Sequence, residues 1–408
     1  MAQNKISLNL SAADFVLSYS FKGPSVIIPG QDQNAAQAQT WWTGETPQRG
    51  MNIPQLAYCE NTVPTSEGYR SVAYRYFVEP PEGDSVTFFK IISVFDGNGS
   101  SCMVGVTIDR RLFICSAYTL GLWNPLEVPL SPGVVWNDYE GITNATVMGK
   151  AVICIKGIGL FVLDVPGSEL DAQPVTGLAA DLVNGITSAK NYLIAYDDTE
   201  LYWSSAADPF DFTPSLITGA GAATPDGLKG KMVLCKEIDQ GFIIYADACI
   251  ISAAYSSNKA LPWIFAVLQG GAGIRHEEAV AYDVNMFNHF AWTSAGLVGV
   301  ELHKANPILP QVTDFIASGI SDKTVSLTSL PVTTFDERAK EVRLAIISGR
   351  YVCISFGYLS DKLEWEAQYP ELKQSFIWDT QLKRWGKLNI DHIQMFEAPF
   401  NAAPPVFF

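Results

Sequence analysis

Basic residues are scarce in this 408-residue chain: 27 Lys and Arg stand against 42 Asp and Glu, a formal net charge of −15. A protein that grips nucleic acid needs Lys and Arg to displace counterions from the phosphates, so this balance argues against tight nucleic-acid binding. It is compatible with a surface past which DNA slides, because an acidic wall repels phosphate, and equally with the ordinary solubility of an acidic protein. No run of eighteen or more apolar residues occurs, and the opening MAQNKISLNLSAADFVLSYS has neither a basic start nor a continuous apolar stretch. No membrane-spanning helix, no secretory signal and no membrane partner are therefore expected. The seven cysteines (Cys59, Cys102, Cys115, Cys154, Cys235, Cys249 and Cys353) show no CxxC or CxxH spacing, and most sit in apolar runs such as AVICIKG. They predict buried free thiols in a protein made in a reducing cytoplasm.

Signatures of chemistry are also missing. Four histidines (His276, His289, His303 and His392) form neither HxH nor HExxH, and His289 in the apolar run FNHFAW reads as a core or rim histidine with its hydrogen bonds met. DGNGS at Asp96 to Ser100 starts like a calcium loop, but the twelfth position is Thr107 rather than a bidentate Glu. A hairpin turn with Gly97 and Gly99 at positive φ explains it better. There is no GxSxG elbow, no GxxxxGK[ST] phosphate loop in GLKGKM, and no repeated SxDxGxTW box of sialidase propellers. The carboxylates Asp197, Asp198, Asp208, Asp211, Glu277 and Glu278 fall where turns are expected, in local hydrogen-bonding roles. No catalytic, cofactor-binding or metal-ligating residue is nominated, and the chain is expected not to be an enzyme.

What is present is a composition 48% hydrophobic and 12% aromatic with only 17% charged residues, that of a packed protein. Residues 1–57 differ from the rest: VIIPGQDQNAAQAQTWWTGETPQRG offers only Trp41 and Trp42 as large anchors and reads as an extended arm and linker that is either mobile or docked through the two tryptophans on something else, such as a neighbouring subunit, with docking favoured. From about Tyr58 the chain is a series of short Val-, Ile-, Phe-, Tyr- and Trp-rich runs bounded by Gly, Pro, Asn and Asp, and helical periodicity is nearly absent. The runs pair, as in YLIAYDDTELYWSS, GFIIYADACIISAA and HFAWTSAGLVGVEL. Taking Phe113, Phe161, Tyr202, Ile250, Val298 and Ile377 as equivalent points, the steps are 48, 41, 48, 48 and 79 residues. A period in the forties predicts an all-β, β-propeller-like fold of about five to seven blades over residues 58–395, with a C-terminal tail at 396–408. A pair of stacked sheets would give turn signals about every ten residues without the longer period, and a β-helix would also give many short strands. The long last step is either an enlarged blade or an unplaced boundary.

LYWSSAADPFDFTPS at Leu201 to Ser215 resembles the tail nozzle and packaged-DNA stabilisation (head-to-tail) proteins of short-tailed bacteriophages, in which an aromatic-Ser strand end is followed by a DPxDF turn that opens the next blade. A degenerate copy, SAYTLGLWNPLEV at Ser116 to Val128, puts Asn124 and Pro125 in the Asp-Pro places. LAYCENTVPTSEGYRSV at Leu56 to Val72, FAWTSAGLVGVELHKANPILPQVTDFI at Phe290 to Ile316 and FIWDTQLKRWGKL at Phe376 to Leu388 are similar to the same family. In the last, the strand around Trp385 would close a blade and bury that side chain.

The resemblance implies a virion structural protein of the tail, assembled in the host cytoplasm: a homo-oligomer, a sixfold ring, stacked on portal-adaptor or neighbouring tail proteins. Such a ring retains packaged DNA and passes it through its lumen at infection without sequence-specific binding. The chain ends soon after the Trp strand, in EAPFNAAPPVFF, so no separate distal domain is expected. The competing reading is a carbohydrate-binding propeller for host attachment, with Trp123, Trp136, Trp263 and Trp365 in loops stacking on sugars.

Overall fold

A computed structural model describes residues 8–9, 16–17, 62–65, 68–71, 88–107, 111–115, 118–119, 122–123, 126–128, 141–163, 170–258, 261–282, 289–308, 342–356, 374–381, 384–388, 394–396 and 406–407. Two hairpins come first: β1 (Leu8–Asn9) pairs with β2 (Val16–Leu17), and β3 (Thr62–Thr65) with β4 (Gly68–Ser71). Blade 1 is β5 (Phe88–Phe95), β6 (Ser101–Thr107), β7 (Leu112–Cys115) and β10 (Leu126–Glu127), with the hairpin β8 (Tyr118–Thr119) and β9 (Leu122–Trp123) inserted before its last strand. Blade 2 is β11 (Ile142–Val147), β12 (Lys150–Ile155), β13 (Gly159–Leu163) and β14 (Leu170–Ala172). Blade 3 is β15 (Gly185–Ala189), β16 (Tyr192–Tyr196), β17 (Leu201–Trp203) and β18 (Gly221–Ala223). Blade 4 is β19 (Met232–Ile238), β20 (Gly241–Ala246), β21 (Ile250–Tyr255) and β22 (Trp263–Val267). Blade 5 is β23 (Val280–Tyr282), β24 (His289–Thr293), β25 (Gly296–Glu301) and β26 (Lys304–Pro307). Blade 6 is β27 (Arg343–Ile347), β28 (Tyr351–Phe356), β29 (Gln374–Asp379) and β30 (Arg384–Leu388). A last hairpin joins β31 (Met395–Phe396) to β32 (Val406–Phe407).

The chain is therefore an all-β, six-bladed propeller of antiparallel sheets. Among the described residues there is no α-helix, only 3-10 turns at Ala180–Leu182 and Glu277–Ala279, and no helix long and apolar enough to cross a membrane. The six equivalent points of the repeat all fall on third strands: Phe113 on β7, Phe161 on β13, Tyr202 on β17, Ile250 on β21, Val298 on β25 and Ile377 on β29. The long last step separates consecutive third strands, so no blade is missing. Its extra length lies in the connections from β26 to β27 and from β28 to β29.

Burial explains why the second and third strands were so visible in the sequence. Each lies inside a blade whose two faces pack on neighbouring blades, so KAVICI, YLIAY and GFIIYA are almost continuously buried rather than alternating. The apolar clusters are inter-blade layers. One joins β6, β7, β12 and β13 of blades 1 and 2, another joins β16, β17, β20 and β21 of blades 3 and 4, and the largest runs from blade 4 through blade 5 to blade 6. Trp263, 1% exposed, stands edge-on to Phe242 at 4.9 Å and Tyr192 at 5.8 Å, tying blade 4 to blade 3. Trp378 meets Phe290 edge-on at 6.1 Å across blades 6 and 5. The side chain of Trp385 lies outside the described residues; its backbone pairs with Trp378.

Both ends of the chain close the ring. The hairpin β3–β4 adds to the outer edge of blade 6, with Thr62 opposite Lys387 of β30. At the inner edge of blade 1, Gln394 acts as a surrogate strand. Its Oε1 accepts from the Ile91 N–H at 2.9 Å and its Nε2 donates to the Ile91 carbonyl at 3.1 Å. Apart from β1 and β2, the arm at residues 1–57, with Trp41 and Trp42, lies outside the described residues.

Candidate functional site: the propeller axis and the outer edge of blade 4

First strands of successive blades pack against one another around the axis. Their side chains line a half-open cavity of about 140 Å³ reached by β5, β11, β19, β23 and β27. Three cations line it, Lys90 of β5, Lys236 of β19 and Arg343 of β27, against two carboxylates, Glu277 and Glu278, on the 3-10 turn that leads into β23. Lys90 pairs with Glu277, and Arg343 Nε lies 2.6 Å from Glu278 Oε2. The same guanidinium donates to His276 Nε2. Burial, with the Arg343 charge beside it, pushes the His276 pKa well below the ordinary histidine value and keeps the ring a neutral acceptor. These placements correct the reading of Glu277 and Glu278 as local turn carboxylates: they face inward and join blade 5 to blades 1 and 6.

Burial pushes the Lys236 pKa down, and the Glu277 charge opposes the shift. Other polar side chains of the lining are committed to holding blades together. Thr143 Oγ1 accepts from the Ile186 N–H at 2.9 Å and Asn144 Nδ2 donates to the Ser93 carbonyl at 3.2 Å.

At the ends of the first strands the turns of blades 2, 3 and 4 frame a second hollow of about 350 Å³, whose lining includes Lys190, Glu237, Asp239 and the half-exposed Tyr282. The two glycines expected at positive φ in the neighbouring turn differ. Gly99 has φ +84°, as expected, but Gly97 is absent from the left-handed residues. It is glycine because a Cβ there would stand 2.4 Å from Gly149 Cα, where the first turns of blades 1 and 2 touch. Asp96 Oδ1 accepts from the N–H groups of Asn98 and Ser100, a closed turn with no cation needed.

His289 is fully buried with both ring nitrogens engaged: Nε2 donates to the Glu237 carbonyl at 3.0 Å and Nδ1 accepts from the Tyr245 hydroxyl at 2.9 Å. Burial and the nearby Lys236 charge push its pKa down to about 3. It is a core histidine between blades 4 and 5. Six cysteines are free and buried, and Cys59 lies outside the described residues. Desolvation pushes the thiols of Cys102, Cys154 and Cys353 up to about 12. Such thiols are poor nucleophiles and metal ligands. Among the described residues no group of three His, Cys, Asp or Glu could hold a metal ion.

The DPFDF turn has a structural task different from the one its resemblance implied. It lies between the third and fourth strands of blade 3 rather than opening the next blade. Asp208 Oδ1 accepts from the Phe210 N–H at 3.0 Å, and Phe210 and Phe212 enter the apolar layer between blades 2 and 3. Thr176, on the connection from blade 2, donates its N–H to the Phe210 carbonyl at 3.0 Å and accepts from the Phe212 N–H at 2.8 Å. The turn is a stitch between neighbouring blades. Asn124 and Pro125 occupy the same interval in blade 1, between β9 and β10, outside the described residues. Asp197 keeps its expected local role, accepting from the N–H groups of Thr199 and Glu200, and Asp211 does so with Thr213 while also accepting from Thr176 on the connection from blade 2. Asp198 departs from it: its partners are the distant Asn184 and Lys231.

The outer edges of the blades differ. β14 is three residues long with an exposed Asp171, β18 is Gly-Ala-Ala, β26 ends in Pro307, and blade 6 is capped by β3–β4. β22 of blade 4 is the exception, five residues reading Trp-Ile-Phe-Ala-Val with Ile264 58% and Val267 46% exposed and no charge. Trp263, one of the four tryptophans expected to stack on sugar, points inward from this strand and is core. The Trp123 side chain, Trp136 and Trp365 lie outside the described residues.

No family model and no curated protein matches the sequence. Among solved structures, the chain is similar to U3-55K, at 8% identity and a TM-score of 0.47 over 78% of this chain and 87% of that one. It is also similar to the β-propeller domain of Myceliophteria thermophila Cps50 (Swd1), at 10% identity and a TM-score of 0.43 over 78% of this chain and 94% of that one.

Proposed function

We propose that the chain is a non-catalytic structural subunit of a phage virion, a tail nozzle or head-to-tail connector protein that assembles with copies of itself into a sixfold ring. The ring retains packaged DNA and lets it pass at infection. The observation that carries the assembly step is the outer edge of blade 4, unpaired among the described residues. An uncharged apolar edge strand offers unpaired N–H and C=O groups to another chain, and folds that stay monomeric blunt such strands. The other described edges are short, interrupted or covered, and the hairpin on blade 6 demonstrates strand addition to an outer edge within this fold. A segment of a second copy is the occupant.

Charge supports the DNA-passage part. The axial cavity carries three cations against two carboxylates, so the acidic excess of the −15 chain lies outside that cavity, and an acidic surface lets phosphate slide past. Six buried free thiols suit assembly in a reducing host cytoplasm. The test is mass photometry of the purified chain together with cryo-electron microscopy of particles. A ring that Ile264→Lys reduces to monomers with an unchanged melting temperature is expected; a monomer at every concentration, with no ring in the tail, overturns the reading.

A further inference from the structure

The axial cavity has an unbalanced charge set. Glu277 takes Lys90 and Glu278 takes Arg343, and these pairs leave Lys236 as the cation of the lining whose side chain makes neither an ion pair nor a hydrogen bond among the described residues. The Glu277 and Glu237 charges act on Lys236 without forming an ion pair with it, and an ammonium that lacks a contacting counter-ion in a partly desolvated site is stabilised by an ion supplied from solution. The neighbours narrow the choice of ion. With Lys90 and Arg343 paired to Glu277 and Glu278, the lining keeps one excess positive charge, which favours an anion over a cation. The space of about 140 Å³ is about ten times what one water needs, and it accommodates a tetrahedral oxyanion with part of its hydration. Water alone would solvate the ammonium without balancing its charge.

We propose that the axis of this propeller binds one free inorganic oxyanion of the phosphate or sulfate class, held by Lys236 within the field of Lys90 and Arg343. The ion would link blades 1, 4 and 6 through charges on their first strands. This site is independent of the assembly reading and stands or falls without it.

The test is calorimetric titration of inorganic phosphate into the full chain at constant ionic strength set by chloride, with melting followed in parallel. One ion per chain is expected, with sulfate competing and chloride not. Lys236→Met should weaken binding at least tenfold and abolish the phosphate dependence of melting, while Lys236→Arg retains both. Glu278→Gln removes one carboxylate from the lining and should tighten binding several-fold. That variant also decides the matter if Lys236→Met does not fold. Absence of saturable binding to the unaltered chain, equal binding by Lys236→Met, or no change of affinity in Glu278→Gln would each overturn the proposal.

Discussion

Blades 4 and 6 finish differently at their outer edges. Blade 6 ends on β30, which is covered by β3 and β4, whereas blade 4 ends on β22, which has the most apolar edge sequence described and no covering strand among the described residues. The same backbone geometry thus serves closure in one place and leaves an open valence in the other. What decides between them is whether the chain itself supplies the next strand.

The comparison can be broken first at the core of the closed blade. Trp378→Ala, which empties the contact with Phe290, should cost about 3–5 kcal/mol in a denaturant titration. Gln394→Ala leaves the N–H and carbonyl of Ile91 without their partner at the junction of the ring; about 1–3 kcal/mol is expected, again by denaturation. The blade with the open edge is sensitive to acid. His289 joins it to blade 5 as a neutral ring with a pKa of about 3, against 6.5 for an unperturbed histidine. The unfolded chain takes up the proton first, so this contribution is complete above pH 6.5 and is lost progressively as pH falls towards 3. Between pH 7 and pH 5 the loss is about 2 kcal/mol from His289, and His276 acts in the same direction. Melting curves at the two pH values check this, and His289→Gln should flatten the dependence. The smallest effect on the fold is expected at the open edge itself: Ile264→Lys should change stability by no more than about 0.5 kcal/mol, with its consequence confined to assembly.

The sequence was legible where burial is two-sided. GFIIYA and YLIAY announce themselves as strands, and the repeat marked the third strand of every blade because that strand is enclosed between neighbours. The first strands of blades 2, 3 and 5 carry a weaker strand signal: ITNATV, GITSA and VAY are short or carry Thr, Ser and Asn that line or border the axis and hold adjacent blades. The candidate site is obscured with them. Glu277 and Glu278 looked like turn residues, and their partners are distant in sequence. The available signal was a lysine inside otherwise apolar runs, FFKIISVF and MVLCKEI, where a charged side chain must either reach solvent or find an opposite charge.

The Gln394 bond to Ile91 spans 303 residues. During synthesis, with the N-terminal part emerging first, the inner edge of blade 1 must wait until the 303 residues up to Gln394 have followed it before it is satisfied. Closure of this propeller is consequently a late event in the life of each molecule, and a truncated product would present an unfinished first blade to chaperones and proteases.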